Sequence, residues 1–183
     1  MTPAEFIQLK AFARIDGALL AVLWIASFAC YVLGITSPLY GLLAVGLAVA
    51  TPFFVAYRLG KFRDVGLDGV ISFRRGWAYA AYVFFYAALL MALAQYLYFA
   101  FLDRGYLLHA LTSIVSAPEA RQALEQYGLQ QSMSENLTLL GQMRPIDFAI
   151  NVMTANIMTG LLLALPIALF MRRSVAKPKV GNQ

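Results

Sequence analysis

Four runs of apolar residues, each about as long as a bilayer is thick, decide what this chain can fold into. They cover residues 17–35, 39–57, 77–102 and 148–171. Crossing about 30 Å of hydrocarbon takes roughly 20 helical residues at 1.5 Å each, and all four runs qualify. Backbone groups in lipid must be satisfied inside the element, so each run is a helix; the ten-residue alternation of a membrane barrel is absent. The expected fold class is therefore all-α, an integral membrane bundle of four transmembrane helices forming one membrane domain over residues 1–183. Composition agrees, with 61% of residues hydrophobic and 13% charged, against about 25% charged in a soluble domain.

The basic residues give the orientation. Eleven of them (Lys10, Arg14, Arg58, Lys61, Arg63, Arg74, Arg75, Arg172, Arg173, Lys177 and Lys179) fall on one side of the four runs, and three (Arg104, Arg121 and Arg144) on the other. The positive-inside rule then places both termini and a basic loop, residues 58–76, in the cytoplasm of a bacterial inner membrane. Trp77, Tyr57 and Tyr79 are expected at the inner interface, Tyr40 and Tyr98 at the outer one. The net charge of +5 flanks apolar runs instead of forming a groove-reading face, which excludes nucleic acid as a partner. The first run is longer than a cleavable signal core. Ser27-Phe28-Ala29-Cys30 lacks the aliphatic residue of a lipoprotein signal, so that run is read as a retained helix.

Residues 103–147 form an extracytoplasmic helical segment. Ser116-Ala117-Pro118-Glu119 has the pattern of a capping box opening a helix that Gly128 ends, and Ser132 to Glu135 repeats it before a second helix. At the other end, Thr2-Pro3-Ala4-Glu5 starts a helical lead-in to the first span.

Several stretches resemble a known family. Gly69-Val70-Ile71-Ser72-Phe73 before an aromatic third helix, Tyr96-Leu97-Tyr98 with Phe101-Leu102-Asp103 at its exit, the helical outer segment and a closing span ending in basic residues look like the Domain of Unknown Function 4199 family, over residues 60–173. That resemblance implies a four-helix bacterial inner-membrane protein and supplies no activity, ligand or catalytic residue. It also implies a partner, an envelope glycosyltransferase or another member of a lipid-linked pathway.

Few residues suggest chemistry. His109 has neither a cysteine nor a second histidine to complete a metal site, and Asp16, Asp103 and Asp147 stand at the ends of spans, where they do not mark proton coupling. No catalytic residue, metal or cofactor is expected. An intramembrane polar cluster of Gln95, Asn151, Thr154 and Asn156 is expected to hydrogen-bond across the last two helices, with Gln95 reaching Asn151 or Asn156. Ala26, Cys30 and Gly34 on the first helix, with Gly46 and Ala50 on the second, form small faces for close packing or dimerisation.

Arg58, Lys61, Arg63, Arg74 and Arg75 are the candidates for contact with anionic lipid or a phosphate group. Pro52 and Pro166 each follow an Ala-x step and precede a basic stop by six residues. They mark helix kinks at matched depth, each removing one backbone hydrogen bond. The function these features favour is a non-enzymatic inner-membrane subunit or scaffold. It would lie in the bilayer beside a membrane protein partner or a second copy, with anionic lipid at its basic loop. The alternative is a small transporter or lipid-handling protein using the space beside the two prolines.

Overall fold

A computed structural model describes residues 1–35 and 37–174 of the chain; Lys177 and Lys179 lie outside the described residues. The described residues are all-α, with seven α-helices: α1 Pro3–Gly34, α2 Pro38–Gly66, α3 Phe73–Leu97, α4 Tyr106–Ser116, α5 Pro118–Gln126, α6 Gln130–Gln142 and α7 Pro145–Met171. A π-helical turn, Tyr98–Leu102, extends α3. Four helices are long and apolar enough to cross a membrane: α1, α2, α3 with its extension, and α7.

The helices outrun the apolar stretches. At 1.5 Å per residue, the 32 residues of α1 reach about 48 Å and the 29 of α2 about 43 Å, well beyond a 30 Å hydrocarbon core. The extra turns lie at the end that carries the N-terminus. α1 starts where the sequence announces it: Thr2 Oγ1 accepts from the Glu5 N–H at 3.3 Å, and Glu5 accepts from the Thr2 N–H at 2.7 Å. This capping box satisfies two donors that a helix start leaves open.

The loop expected over residues 58–76 is mostly helix. α2 continues to Gly66 and α3 begins at Phe73, so only residues 67–72 are irregular. The cause is packing: Leu59 and Phe62 project from the extra turns into a core with Leu9, Ala13 and Tyr79, and all five are essentially inaccessible. Phe62 stacks on Tyr79 at 4.7 Å between ring centroids, and Phe12 packs on Phe62 at 5.1 Å. Hydropathy detects lipid contact, and these turns bury their apolar side chains against protein.

The chain divides into two compact units, residues 1–91 with 153–183, and residues 92–152. In the first, α1 and α2 are pinned by polar bonds within the apolar stretch, from Trp24 Nε1 to Thr51 Oγ1 at 3.0 Å and from Ser27 Oγ to the Ala44 carbonyl at 2.9 Å. Their hairpin closes tightly, since a Cβ on Gly34 would stand 2.7 Å from the Gly41 nitrogen. At the other expected small face Gly46 is exposed, with nothing within 4 Å of a Cβ built on it, so it packs against no helix of this chain among the described residues. Closer approaches occur at Gly17, facing Tyr86 and the Val83 carbonyl, and at Gly160, facing Phe84.

In the second unit the two expected capping boxes are not made. α5 is capped by Ala117 and α6 by Leu129, neither with a side-chain bond. Pro118, at the first position of α5, needs no N–H partner, and its fixed φ suits a helix start. Gly128, at φ +66°, follows the end of α5 as expected. α4 had no distinct sequence signal. Asp103 initiates it, accepting from the backbone N–H of Gly105 at 3.0 Å and of Leu107 at 3.1 Å.

Candidate functional site

Two features of the first unit could meet a ligand or partner: the polar end built by the overshooting helices, and the groove beside the prolines.

At the polar end, Asp16 is 2% exposed. Its Oδ1 takes Arg58 Nε and Nη2, and its Oδ2 takes the Tyr79 hydroxyl. One carboxylate thus ties α1, α2 and α3 together. Its place at a span end did not announce this burial. It does stand where the apolar stretch begins, but the helices on either side continue past it and enclose it. A charge buried this way is costly unless paired and hydrogen-bonded, and all of its partners lie within the protein.

The same end uses two more of the basic residues internally. Arg63, 9% exposed, forks onto the neighbouring Asp64 carboxylate at 2.7 and 2.9 Å, and its Nη1 donates to the Met171 carbonyl at 3.1 Å. It thereby caps the last turn of α7, where a cation meets the negative end of the helix dipole. The 67–72 segment is fixed to the same place by a pair of backbone bonds between Ile71 and Arg173, at 3.0 and 3.1 Å. Arg75 donates to Glu5 at 3.2 Å and to Gln8 at 3.4 Å, lies 5.9 Å from the Phe62 ring centroid, and has a buried Nε with no partner. Glu5 stands well before the apolar stretch opens at Gly17. The Thr2 backbone N–H first, and Arg75 after it, hold its carboxyl below the usual range.

Of the five residues expected to meet anionic groups, Arg58, Arg63 and Arg75 are thus committed to internal pairs. Lys61 and Arg74 are exposed. Arg74 lines an open groove of about 630 Å³ at the starts of α1 and α3, together with Glu5, Ser72, Phe73, Arg75 and Trp77. Arg14 and Arg172, which the expectation did not single out, are exposed as well.

Pro52 and Pro166 do meet. With Phe53, Ala56, Leu163 and Phe170 among its walls, they line one open apolar groove of about 230 Å³ between α2 and α7. The shared Ala-x-Pro spacing thus corresponds to a shared surface.

Within the second unit, Gln95 and Asn151 of the expected polar cluster do not pair. Gln95 is 4% exposed, but its Oε1 has no hydrogen-bond partner. Asn151, its expected partner in the same unit, is exposed. Thr154 is exposed and Asn156 half-buried. Matching residues by depth fixes height along two helices and leaves rotation open; Asn151 is rotated outward. His109 is exposed. Among the described residues no three His, Cys, Asp or Glu side chains gather as a metal site needs.

With the geometry in place, comparison with known proteins yields one match. Residues 16–173 fit the family described as "Protein of unknown function (DUF4199)". The chain belongs to this family. The match exceeds the resemblance drawn from residues 60–173, taking in α1 from Asp16 onward and all of α2, and its limits fall on Asp16 and Arg173. In this family member those are the buried carboxylate and the residue whose backbone holds Ile71. No curated protein and no solved structure matches the chain.

Proposed function

We propose that the chain is a non-catalytic subunit or scaffold of the bacterial inner membrane, crossing it four times with both termini cytoplasmic, whose basic end rests on anionic lipid headgroups beside a membrane protein partner. One observation carries this reading. The packed end spends Arg58, Arg63 and Arg75 on internal acceptors, while Arg14, Lys61, Arg74 and Arg172 are exposed and form no ion pair among the described residues. A fixed core with outward cations suits a surface of negative headgroups, at about 1 kcal/mol for each charge close to it. The family resemblance suggests as partner an envelope glycosyltransferase or another enzyme of a lipid-linked pathway; a second copy of the chain is the alternative.

The test is lipid retention. The full chain is extracted gently and its bound lipids are weighed by native mass spectrometry, alone and with Lys61→Gln and Arg172→Gln combined. The expected result is enrichment of anionic over zwitterionic lipid, reduced in the double variant. Equal retention of both lipid classes by the unaltered chain would sink the reading. A lipid-handling protein is the second reading, favoured by the shared Pro52 and Pro166 groove, whose apolar walls suit an acyl chain.

A further inference from the structure

The groove at the starts of α1 and α3 is built for more than a point charge. Its 630 Å³ far exceeds a bare phosphate, and its walls carry three kinds of chemistry. Arg74 is exposed and takes part in no ion pair among the described residues, so its guanidinium is available for bidentate contact with phosphate oxygens. Glu5 lines the same groove with its side chain 40% exposed. One of its oxygens accepts from Arg75 and the other from the Thr2 N–H. Each carboxylate oxygen has a second lone pair, so Glu5 can accept from hydroxyl groups as well. Trp77 and Phe73 supply flat apolar surface. Trp77, 37% exposed, has the amphipathic character of residues at headgroup level.

A carboxylate in an anion site is unhelpful if the ligand is bare phosphate, since the two repel. It becomes useful if the ligand also carries hydroxyl donors. Arg75 adds to the case: it lines the groove, is oriented by Glu5 and Gln8, and keeps one buried N–H without an acceptor.

We propose that this groove binds a hydroxyl-bearing phosphate headgroup, of the phosphoglycerol or sugar-phosphate kind, with Arg74 on the phosphate, Glu5 accepting from the hydroxyls and Trp77 covering the carbon skeleton. The inference rests on the reading that this end lies at headgroup level. It goes further by naming a selective site apart from Lys61 and Arg172.

The test uses the full chain in detergent, with native mass spectrometry as readout and three probes: phosphatidylglycerol, phosphatidic acid and soluble glycerol phosphate. The unaltered chain should retain phosphatidylglycerol several-fold better than phosphatidic acid. Arg74→Gln should lower retention of both lipids by about tenfold, as loss of a charge-assisted bond would. Glu5→Gln should raise phosphatidic acid retention while phosphatidylglycerol retention stays level or falls, so that selectivity collapses. A merely structural loss would lower both lipids together and would overturn the role given to Glu5. Equal binding of the two lipids by the unaltered chain, or no effect of Arg74→Gln, would overturn the site. Competition by glycerol phosphate at lipid-like concentrations would overturn the lipid as source. Lys61 and Arg172 lie outside the groove, so their neutralisation reports on the general platform alone. Either idea can therefore fail while the other stands.

Discussion

Asp16 holds a carboxylate in a place where every neighbour is protein, and the arrangement around it predicts an asymmetric response to substitution. Removing one member of a buried pair leaves the other charge uncompensated, at about 3–5 kcal/mol. Arg58, with its side chain 22% exposed, has some access to solvent, so Asp16→Leu should fall near the lower end, about 3 kcal/mol. Tyr79→Phe removes only a hydroxyl donor to a charged acceptor and should cost about 1.5–2 kcal/mol. Asp16→Leu combined with Arg58→Met should recover most of the loss, because an apolar pair restores packing without stranding a charge. Thermal unfolding of the detergent-solubilised variants measures all three; a double variant no better than Asp16→Leu would mean the ion pair is not what stabilises this point.

Gln95 is the opposite case. Its buried Oε1 has no partner, so Gln95→Leu should be neutral or stabilising by up to about 1 kcal/mol, because an unsatisfied acceptor is removed. A loss above about 1 kcal/mol in the same unfolding assay would show that the amide is bonded after all. Both residues were visible in the sequence as polar oddities, and the surroundings of neither could be read there. Position along a helix is written in the sequence; which way a side chain is turned depends on how neighbouring helices pack.

At the scale of elements, hydropathy located all four long helices, and the Thr2 to Glu5 capping box marked where α1 begins. It missed the overshoot of α2 from Arg58 to Gly66 because that segment is amphipathic: Leu59, Phe62 and Arg63 turn inward while Lys61 and Asp64 face out. The spacing of Leu59 and Phe62 carries the helical signal, overshadowed by the density of charge. The short helices suffered the reverse error, in that capping patterns at Ser116 and Ser132 promised bonds the backbone does not make.

Glycines give the sharpest test of which helix faces touch. A Cβ on Gly160 would lie 2.5 Å from the Phe84 Cβ, whereas one on Gly46 meets nothing within 4 Å. Gly160→Ala should therefore cost about 1–3 kcal/mol through overpacking of α7 against α3. Gly46→Ala should leave stability unchanged or slightly improved, given the helix preference of alanine. Equal tolerance of the two substitutions in thermal unfolding would contradict the α3 and α7 packing.

For the whole molecule, the balance of eleven basic residues against three and the proposed cytoplasmic termini make one linked prediction. Lys61 stands on the α2 overshoot and Ser132 in α6, both exposed, so each can be replaced by cysteine without disturbing a core. Native Cys30 is partly buried within the apolar stretch of α1 and, set in the bilayer, is poorly placed for a charged reagent. In intact spheroplasts an impermeant thiol reagent should label Ser132→Cys and spare Lys61→Cys; after permeabilisation both should react. Labelling of Lys61→Cys in intact cells would reverse the orientation and move the basic end away from the inner leaflet. The lipid-platform reading would then lose its setting, because the attraction decays over a Debye length of about 8 Å and depends on the anionic cytoplasmic surface. The Asp16 clamp and the glycine contacts would be unaffected, since they depend on packing alone. The labelling pattern therefore separates the function proposed for this end from the fold that builds it.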